Sequence, residues 1–500
     1  MNFYQKYIKY KNKYIKYKDI IGGNPKLKTL IRIEGLKRNI ASYLTMNEVS
    51  DFSTTYSELR DITKTYNIVG VPYIKGSLKS WHKKFPNATS INISNRTDIT
   101  DNDFKYFRGI HTLYMYGCNQ ITDAAFVYLK GIHTLNINGC RQLTSAIFKN
   151  LRGINTLYSS SCNYDIDTES RYLKGIYNLN ISGCEKREIS NLFIYLKGIH
   201  ILNVSMCGWL SDDAFIYIRG INKLYMVWNN RITDDAFIHI KGVNILSIKN
   251  CFHITNIGLL YLKGIYELDI QGCSHITDDI FINFKGIYSI NISNSEQITD
   301  IAFLNLRGIN TLYMNNCTQL TDAIFLNLIG INELDISDCY QITDSAFLNF
   351  RGINILSMNR CEQITDCAFI NLRCIHTLNM SQCNQIDITD SAFIHLRGIH
   401  TLLIEMCNQI SGLAFRYLKG IHTLNISNCH LIINYNLKFI KGIHTFNMNM
   451  CRQLTTLFYI RGIYKINITG CNPSLLMSLS ISPILKNKKY QNQLIPLLIT

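Results

Sequence analysis

The chain has 500 residues, and its 51 Lys+Arg against 35 Asp+Glu give a formal net charge of +16. Apolar residues make up 47% of it, which is enough for a large core and excludes global disorder. No apolar run reaches the roughly 18 residues of a transmembrane helix, and the first twenty residues lack the apolar stretch of a secretory signal. A charge of this size first suggests nucleic acid or an anionic membrane surface as a partner.

The excess positive charge is concentrated at the N-terminus. Residues 1–90 hold 17 Lys+Arg and 6 Asp+Glu, whereas residues 91–500 carry a net charge of only +5. The first 30 residues alternate Lys with Tyr and Ile before a Gly-Gly pair. We interpret residues 1–30 as a solvated basic arm, and the alternative is a contact with a membrane surface or nucleic acid.

From about residue 87 the sequence repeats itself about every 22 residues. One copy reads LKGIHTLNINGCRQLTSAIFKN from Leu129 to Asn150, and 17 copies of the Lys/Arg-Gly-Ile step run from Arg108 to Arg461. This period and this Leu spacing are the signature of leucine-rich repeats. We therefore predict an α/β solenoid (a horseshoe with one parallel strand and one short helix per repeat) of about 18 repeats over residues 87–475, followed by a C-terminal cap or tail at 476–500.

The repeat can be interpreted residue by residue. Leu135 and Ile137 alternate with polar residues, which predicts a strand with one buried face. Thr122 is placed to cap a short helix with its hydroxyl, and Asp123 favours the positive end of that helix. Phe126 then turns inward. Each repeat is thus predicted to be one strand and one short helix.

Cysteine is abundant because it occupies the same position in most of the repeats. That position is expected to point inward, where a small thiol fits, and Asn229 and Ser295 occupy it in two copies as small polar residues able to hydrogen-bond the turn. The pattern predicts a ladder of reduced thiols in a reducing compartment rather than a disulfide framework. The ladder cysteines are 118, 140, 162, 184, 207, 251, 273, 317, 339, 361, 383, 407, 429, 451 and 471.

Metal binding and catalysis find no support in the motifs. A zinc site at Cys361, Cys367, Cys374 and Cys383 is an alternative, but two of these four are ordinary ladder members. Seven of the 13 histidines share one repeat position, which repetition explains without a metal or a catalytic base. No phosphate-binding loop, nucleophile elbow or HExxH motif occurs in a suitable setting. We predict a protein that is not an enzyme, with no cofactor and no metal.

Exposed strand positions should form the concave binding face of the array. Asn dominates the central exposed position, so departures from it mark where recognition would take place. Exposed aromatic residues flanked by charge are typical of binding hot spots, and drift of the repeat is the alternative explanation. The predicted partner-binding residues are Tyr114, Tyr116, Tyr158, Tyr225, Val227, Trp228, Lys249 and Asp269.

A basic row precedes the Gly-Ile step. The residue there is Lys or Arg in 16 of 17 copies, with Ile329 as the exception. Such a row could follow a nucleic-acid backbone. We favour a structural role, because a cation at a helix C-terminus interacts well with the helix dipole and because most copies also carry an Asp.

Residues 31–86 contain two short amphipathic stretches that could cap the open end of the solenoid. Their pattern, with Ile-x-x-Tyr-Leu followed by Glu-Val and a later Leu-Arg, resembles the F-box, although the usual Leu-Pro opening is absent. The repeats resemble the cysteine-containing repeats of F-box/leucine-rich-repeat proteins, and the Lys/Tyr-rich N-terminus resembles proteins of giant DNA viruses. By this resemblance the adaptor-binding residues would be Ile40, Leu44, Val49, Phe52 and Leu59.

The resemblance implies a non-catalytic substrate-recognition subunit of a cullin–RING (SCF-type) ubiquitin ligase. Its partners would be a Skp-type adaptor with its cullin–RING ligase and an unidentified target protein, in the cytoplasm (the host cytosol for a viral protein). The alternative is an interaction scaffold without a ubiquitin role. A weaker hypothesis makes residues 1–30 a nucleic-acid or membrane binder, although nucleic acid is not expected as the main partner.

Overall fold

The computed structural model describes residues 73–475 except 75, 163–168, 185–189, 385–386 and 461–462. Contacts divide the chain into two compact units, with the division between Ile232 and Thr233. The basic arm and the C-terminal tail lie outside the described residues. So do the five F-box-like positions, Ile40, Leu44, Val49, Phe52 and Leu59.

In the first unit, short strands alternate with short helices. The strands pair in parallel with their central apolar residues in register, for example Leu113 with Leu135. The strands are β1 Ser90–Asn92, β2 Thr112–Tyr114, β3 Thr134–Asn136, β4 Thr156–Tyr158, β5 Asn178–Asn180, β6 Ile201–Asn203 and β7 Lys223–Tyr225. The helices are α1 Leu78–Lys84 and α2 Ser190–Tyr195, with 3-10 helices at Asp101–Phe107, Asp123–Tyr128, Ser145–Asn150, Ser170–Leu173 and Asp212–Ile218.

The second unit repeats the same alternation, again with parallel neighbours in register, as at Leu312 and Leu334. Its strands are β8 Ile245–Ser247, β9 Glu267–Asp269, β10 Ser289–Asn291, β11 Thr311–Tyr313, β12 Glu333–Asp335, β13 Ile355–Ser357, β14 Thr377–Asn379, β15 Thr401–Leu403, β16 Thr423–Asn425, β17 Thr445–Asn447 and β18 Lys465–Asn467. Its helices are α3 Asn256–Leu259 and the 3-10 helices Asp234–His239, Leu260–Leu262, Asp278–Phe284, Asp300–Asn305, Asp322–Asn327, Asp344–Asn349, Asp366–Asn371, Asp390–Leu396, Gly412–Tyr417 and Asn434–Ile440.

The repeat chemistry explains this alternation and confirms the predicted leucine-rich-repeat solenoid fold. Leu135, Ile137 and Phe126 are fully buried, as their periodicity predicts. The Thr122 hydroxyl accepts a hydrogen bond from the Ala124 N–H at 3.3 Å, which is the predicted cap. Most of the helices are 3-10 because only about six residues separate the cap from the next turn, and such short segments favour i→i+3 bonds.

The Thr-Asp pair joins successive repeats. In the second unit the Asp322 carboxylate accepts the Thr343 N–H at 2.9 Å through Oδ1 and the Thr343 hydroxyl through Oδ2. The same bonds recur between Asp278 and Thr299 and, in the first unit, between Asp101 and Thr122. The predicted helix-start role of Asp is therefore incomplete, because the carboxylate also fastens its repeat to the next one.

The cysteine ladder is buried, as the repeat pattern predicts, and its thiols are free. Fourteen of its fifteen thiols are buried, and Cys471 is half-buried. Each typical thiol donates to a carbonyl of the preceding repeat, as Cys140 does to Met115 at 3.1 Å and Cys339 to Met314 at 3.1 Å. Burial raises the pKa of the Cys140 thiol to about 12, so the nucleophilic thiolate is suppressed.

Thiol titration is expected to separate the two classes of cysteine. Cys367 and Cys374 are exposed and should react rapidly with a thiol reagent in the native protein. Cys471 should react slowly, and the other ladder thiols only after unfolding, because reagent access and ionisation are both blocked. Counting modified cysteines by mass spectrometry before and after denaturation checks this. Rapid native modification of a ladder cysteine such as Cys339 would contradict it.

Helix α1 covers the first repeat. Leu78, Trp81 and Phe85 are buried, and the Trp81 ring lies edge-on to Phe107 at 6.4 Å between centroids. This arrangement shields apolar side chains that no preceding repeat covers in the described chain. The two amphipathic stretches that are predicted to cap the repeats lie outside the described residues. Within the residues described, no helix is long and apolar enough to span a bilayer.

Candidate functional site

The outward-facing side chains of the strands, here called the strand face of each unit, contain the predicted binding residues. In the first unit, register places the last residues of the seven strands in one row. Four are asparagines and three are tyrosines. In chain order they are Asn92, Tyr114, Asn136, Tyr158, Asn180, Asn203 and Tyr225.

The asparagines of this row have a folding role. The Asn136 Oδ1 accepts the N–H of Asn138 at 3.0 Å, and Asn180 and Asn203 accept the N–H two residues on at the same distance. This Asx-type bond closes the turn that leaves each strand. A tyrosine hydroxyl is too far from its own backbone to make it. The tyrosines therefore replace a residue that the fold favours, and local stability does not account for them.

Tyr114 and Tyr158 lie on either side of Asn136. Burial raises the pKa of the Tyr114 hydroxyl, and the nearby Tyr158 raises it further. Tyr158 accepts a long hydrogen bond from Asn178 at 3.4 Å. Tyr116 lies in the next row, is half exposed, and its ring passes 3.6 Å from where a Cβ on Gly139 would stand. These three predicted partner-binding tyrosines thus lie within three successive repeats.

The other three predicted residues of the first unit, Tyr225, Val227 and Trp228, do not share one face. Tyr225 shares the tyrosine row, and Val227 follows on the same face. Trp228, expected beside them on that face, instead occupies the turn after the strand with φ +59°, and is 46% exposed. The equivalent turn position of the preceding repeat holds Met206, also at positive φ. Trp228 therefore belongs to a row of turn residues rather than to the strand face.

The strand face of the second unit is acidic near its start. Asp269 accepts a hydrogen bond from the Ser247 hydroxyl at 2.8 Å. Lys249 follows β8 on the same face, in the position that Gln271 occupies after β9. These two predicted residues thus lie in adjacent repeats, one basic and one acidic.

Sequence reasoning missed Tyr313, Glu333 and Asp335 on this face. The Tyr313 hydroxyl donates to Glu333 Oε1 at 2.7 Å. Burial raises the pKa of Tyr313, and the hydrogen bond and the charges of Glu333, Asp335 and Glu267 raise it further. The available signal was the Glu-Leu-Asp triplet that forms both β9 and β12.

The zinc alternative is not supported by the placement of its residues. Cys361 and Cys383 are buried and donate to the carbonyls of Ile336 and Met358, whereas Cys367 and Cys374 are exposed. In the described part of the chain, no group of three or more His, Cys, Asp or Glu side chains is arranged to hold a metal ion.

Histidines at the repeated position after the Gly-Ile step form stacks. In the second unit His376, His400, His422 and His444 lie face to face with centroids 4.3–4.5 Å apart, and Tyr464 ends the stack at 4.6 Å. Burial lowers the pKa of His400, and the charges of His376 and His422 lower it further. Burial also lowers the pKa of His444, and the charge of His422 lowers it further. The Thr401 hydroxyl lies 3.1 Å from Nδ1 of His400.

Acid is expected to weaken the second unit through this stack. Because the folded pKa of His400 lies below its unfolded value, the unfolded chain binds more protons at low pH. The stability from the neutral stack is complete above about pH 6.5 and is lost as the pH falls below it. His400→Asn, which matches Asn310, Asn332 and Asn354 at this position, should flatten the dependence of the unfolding free energy between about pH 7 and 5. An unchanged pH dependence in the variant would contradict this.

Comparisons with known proteins give a fold but no family. No protein-family model and no curated protein matches the chain. The structure resembles one chain of the yeast Rad7–Elc1 complex, with 15% identity over 89% of this chain and 98% of that one and a TM-score of 0.43. An internalin of Listeria monocytogenes gives 17% identity over 66% of this chain and 90% of that one, with a TM-score of 0.43.

TLR13, solved in complex with ssRNA13, resembles the chain more strongly, with a TM-score of 0.54. Identity is 14%, and the likeness covers 81% of this chain and 62% of that one, so the chain spans less than two thirds of TLR13. At this identity the likeness concerns architecture alone. It agrees with the parallel strands and the 22-residue period, and the fold of this protein is that of the leucine-rich-repeat solenoids.

Proposed function

We propose that this protein is a non-catalytic protein-binding receptor whose strand face in the first unit holds a partner. The observation that carries the proposal is the tyrosine row, because Tyr114, Tyr158 and Tyr225 replace asparagines that would each close a turn. None of the seven strands described in this unit contains Asp or Glu. Tyr among Asn and Ser is the composition of protein-binding paratopes, where a rigid ring supplies contact area and small amides adapt.

The test exploits the asparagines of the same row. Replacing Tyr114, Tyr158 and Tyr225 by Asn should preserve the fold, because each new side chain can form the Asx bond, while binding to a protein captured by the wild type falls by at least about 100-fold. Tyr217→Asn, an exposed tyrosine of the same unit outside the strand face, serves as the matched control. Retained binding by the triple variant would contradict the proposal.

We further propose that the captured protein is delivered to a cullin–RING ubiquitin ligase. The support is the F-box-like pattern of residues 31–86, with Ile40, Leu44, Val49, Phe52 and Leu59 as adaptor contacts. A receptor of this kind acts by raising the effective concentration of the target near the ligase, without forming or breaking a bond itself. The cytoplasm, or the host cytosol for a viral protein, is the compartment where such a ligase and a reduced thiol ladder would occur together.

Direct binding to a purified Skp-type adaptor tests the ligase role. The wild-type chain should bind it, and Ile40→Asp or Leu44→Asp should abolish the complex while leaving the strand face intact. Absence of wild-type binding would overturn the ligase role. The protein would then be an interaction scaffold whose first 90 residues only cap the repeats, and deleting residues 30–65 would destabilise the repeats without removing an adaptor.

A further inference from the structure

The helices of the second unit expose an aliphatic residue at one repeated position. The position directly follows a buried residue, as Leu304 follows Phe303, which is fully buried. Six successive repeats have Leu or Ile there, with 50–67% of each residue exposed. We call them the aliphatic stripe: Leu260, Ile282, Leu304, Leu326, Leu348 and Ile370.

The fold gives no reason for this stripe. An outward position of a surface helix is normally polar, as it is at the equivalent Arg416 and Lys438. The less exposed Ile238 and Ile394 continue the row at its two ends. Neighbouring Ile257, Ile301 and Ile329, which are 64%, 64% and 72% exposed, widen the apolar surface. The nine residues together expose on the order of 900 Å², above the 300–600 Å² of the largest patch on a typical monomer. Such an area matches the roughly 800 Å² that each partner buries in a standard protein interface.

Charges of opposite sign border the stripe along its two sides. Three residues after five of the six stripe positions stands an exposed basic residue, and Ile329 stands there after Leu326. In the described chain none of these cations forms an ion pair. They are Lys263, Lys285, Arg307, Arg351 and Arg373. Four residues before five of the six stripe positions stands a half-buried carboxylate, and Asn256 stands there before Leu260. Each carboxylate oxygen accepts one bond from the next repeat, which leaves further lone pairs available. They are Asp278, Asp300, Asp322, Asp344 and Asp366.

This pattern selects the kind of partner. The stripe is bordered by five cations and five carboxylates. A uniformly anionic surface, such as a lipid bilayer or a nucleic-acid backbone, would be attracted by the cations on one side and repelled to a similar extent by the carboxylates on the other. A fitting partner has an aliphatic stripe of its own, the same spacing of about 4.8 Å per repeat, and the two signs in exchanged places. A second copy of this chain has all three features.

We propose that the aliphatic stripe is a homodimer interface in which two copies run parallel, related by a two-fold axis along the stripe. Rotation about that axis places the Asp row of each copy opposite the basic row of the other, and each stripe residue opposite its own counterpart. An antiparallel pair would instead set cations against cations and carboxylates against carboxylates. Closed two-fold symmetry is the usual outcome of a self-complementary surface.

The mass of the full chain in solution tests the dimer. Light scattering over a wide concentration range should give twice the chain mass for the wild type. Replacing Leu304, Leu326 and Leu348 by Glu should raise the dimer dissociation constant by at least about 100-fold without loss of folding, because these side chains are mostly exposed. Leu431→Glu, at a 53% exposed residue outside the stripe, is the control. A monomeric wild type, or a triple variant that remains dimeric, overturns the proposal.

Cross-linking tests the parallel arrangement. In a background of Cys367→Ser and Cys374→Gly, which removes the two exposed thiols, Leu260→Cys and Ile370→Cys stand near opposite ends of the stripe. Each should link to its own counterpart under a short bifunctional thiol reagent, and a mixture of the two variants should give no mixed product. Links only between Leu260→Cys and Ile370→Cys chains would mean an antiparallel pair and overturn the proposal.

Discussion

Replacing Asp322 by Ala is expected to lower the free energy of unfolding of the second unit by about 2–4 kcal/mol, because two hydrogen bonds to a charged acceptor are lost. The carboxylate accepts both the N–H and the hydroxyl of Thr343 in the next repeat. The Thr343 hydroxyl in turn caps its helix by accepting the Ser345 N–H at 3.2 Å. Removing the carboxylate therefore loosens the joint between two repeats and the start of the following helix.

The chain supplies the control for this variant. At the equivalent position Asn256 accepts the Thr277 N–H at 3.1 Å and donates to the Thr277 hydroxyl at 2.7 Å. Asp322→Asn should therefore cost no more than about 1 kcal/mol, since both bonds survive without the charge. Urea denaturation, with hydrogen exchange of the Thr343 repeat, measures both variants. Equal losses for Ala and Asn would show that charge, rather than these bonds, joins the repeats.

Substitution by Cys is expected to change the free energy of unfolding in opposite directions at Ser295 and Asn229, the two positions where the ladder lacks cysteine. Ser295 is buried, and its hydroxyl finds no hydrogen-bond partner, which makes the predicted turn bond wrong at this residue. Ser295→Cys should raise the free energy of unfolding by about 1 kcal/mol, because it removes a buried unsatisfied hydroxyl. The new thiol can donate to the preceding repeat as Cys273 and Cys317 do at 3.2 Å.

Asn229→Cys should instead lower the free energy of unfolding of the first unit by about 1–3 kcal/mol. Asn229 makes the predicted bonds, accepting the Cys207 N–H and donating to the Val204 carbonyl, both at 2.9 Å. A thiol can replace the donor but is a weak acceptor, so the Cys207 N–H loses its partner. Urea denaturation of both variants and the wild type measures the two changes in the free energy of unfolding. If both variants changed the free energy of unfolding in the same direction, the conclusion that Asn229 is hydrogen-bonded and Ser295 is not would be wrong.

The sequence predicts the repeat length, the strand and helix positions and the buried face because the same residue pattern recurs in every copy. A single Leu at position 135 says little, but the same alternation in every copy identifies an inward slot. Tyr114, Tyr158 and Tyr225 were predictable for the same reason, since each interrupts a row of Asn. Trp228 was misplaced because it lies three residues after the end of its strand, where the backbone turns to positive φ.

By itself the sequence determined which residues face inward, where each strand and short helix lies, and that the thiols form a ladder. Only the tertiary structure decided which atoms meet between repeats: the Asp322 carboxylate with Thr343, the Cys339 thiol with the Met314 carbonyl, and the imidazole of His400 with its two neighbours. These partners lie about one repeat apart, and their contact depends on the parallel register of adjacent strands. A repeated pattern shows that a position recurs, whereas the stacking of repeats decides what that position touches.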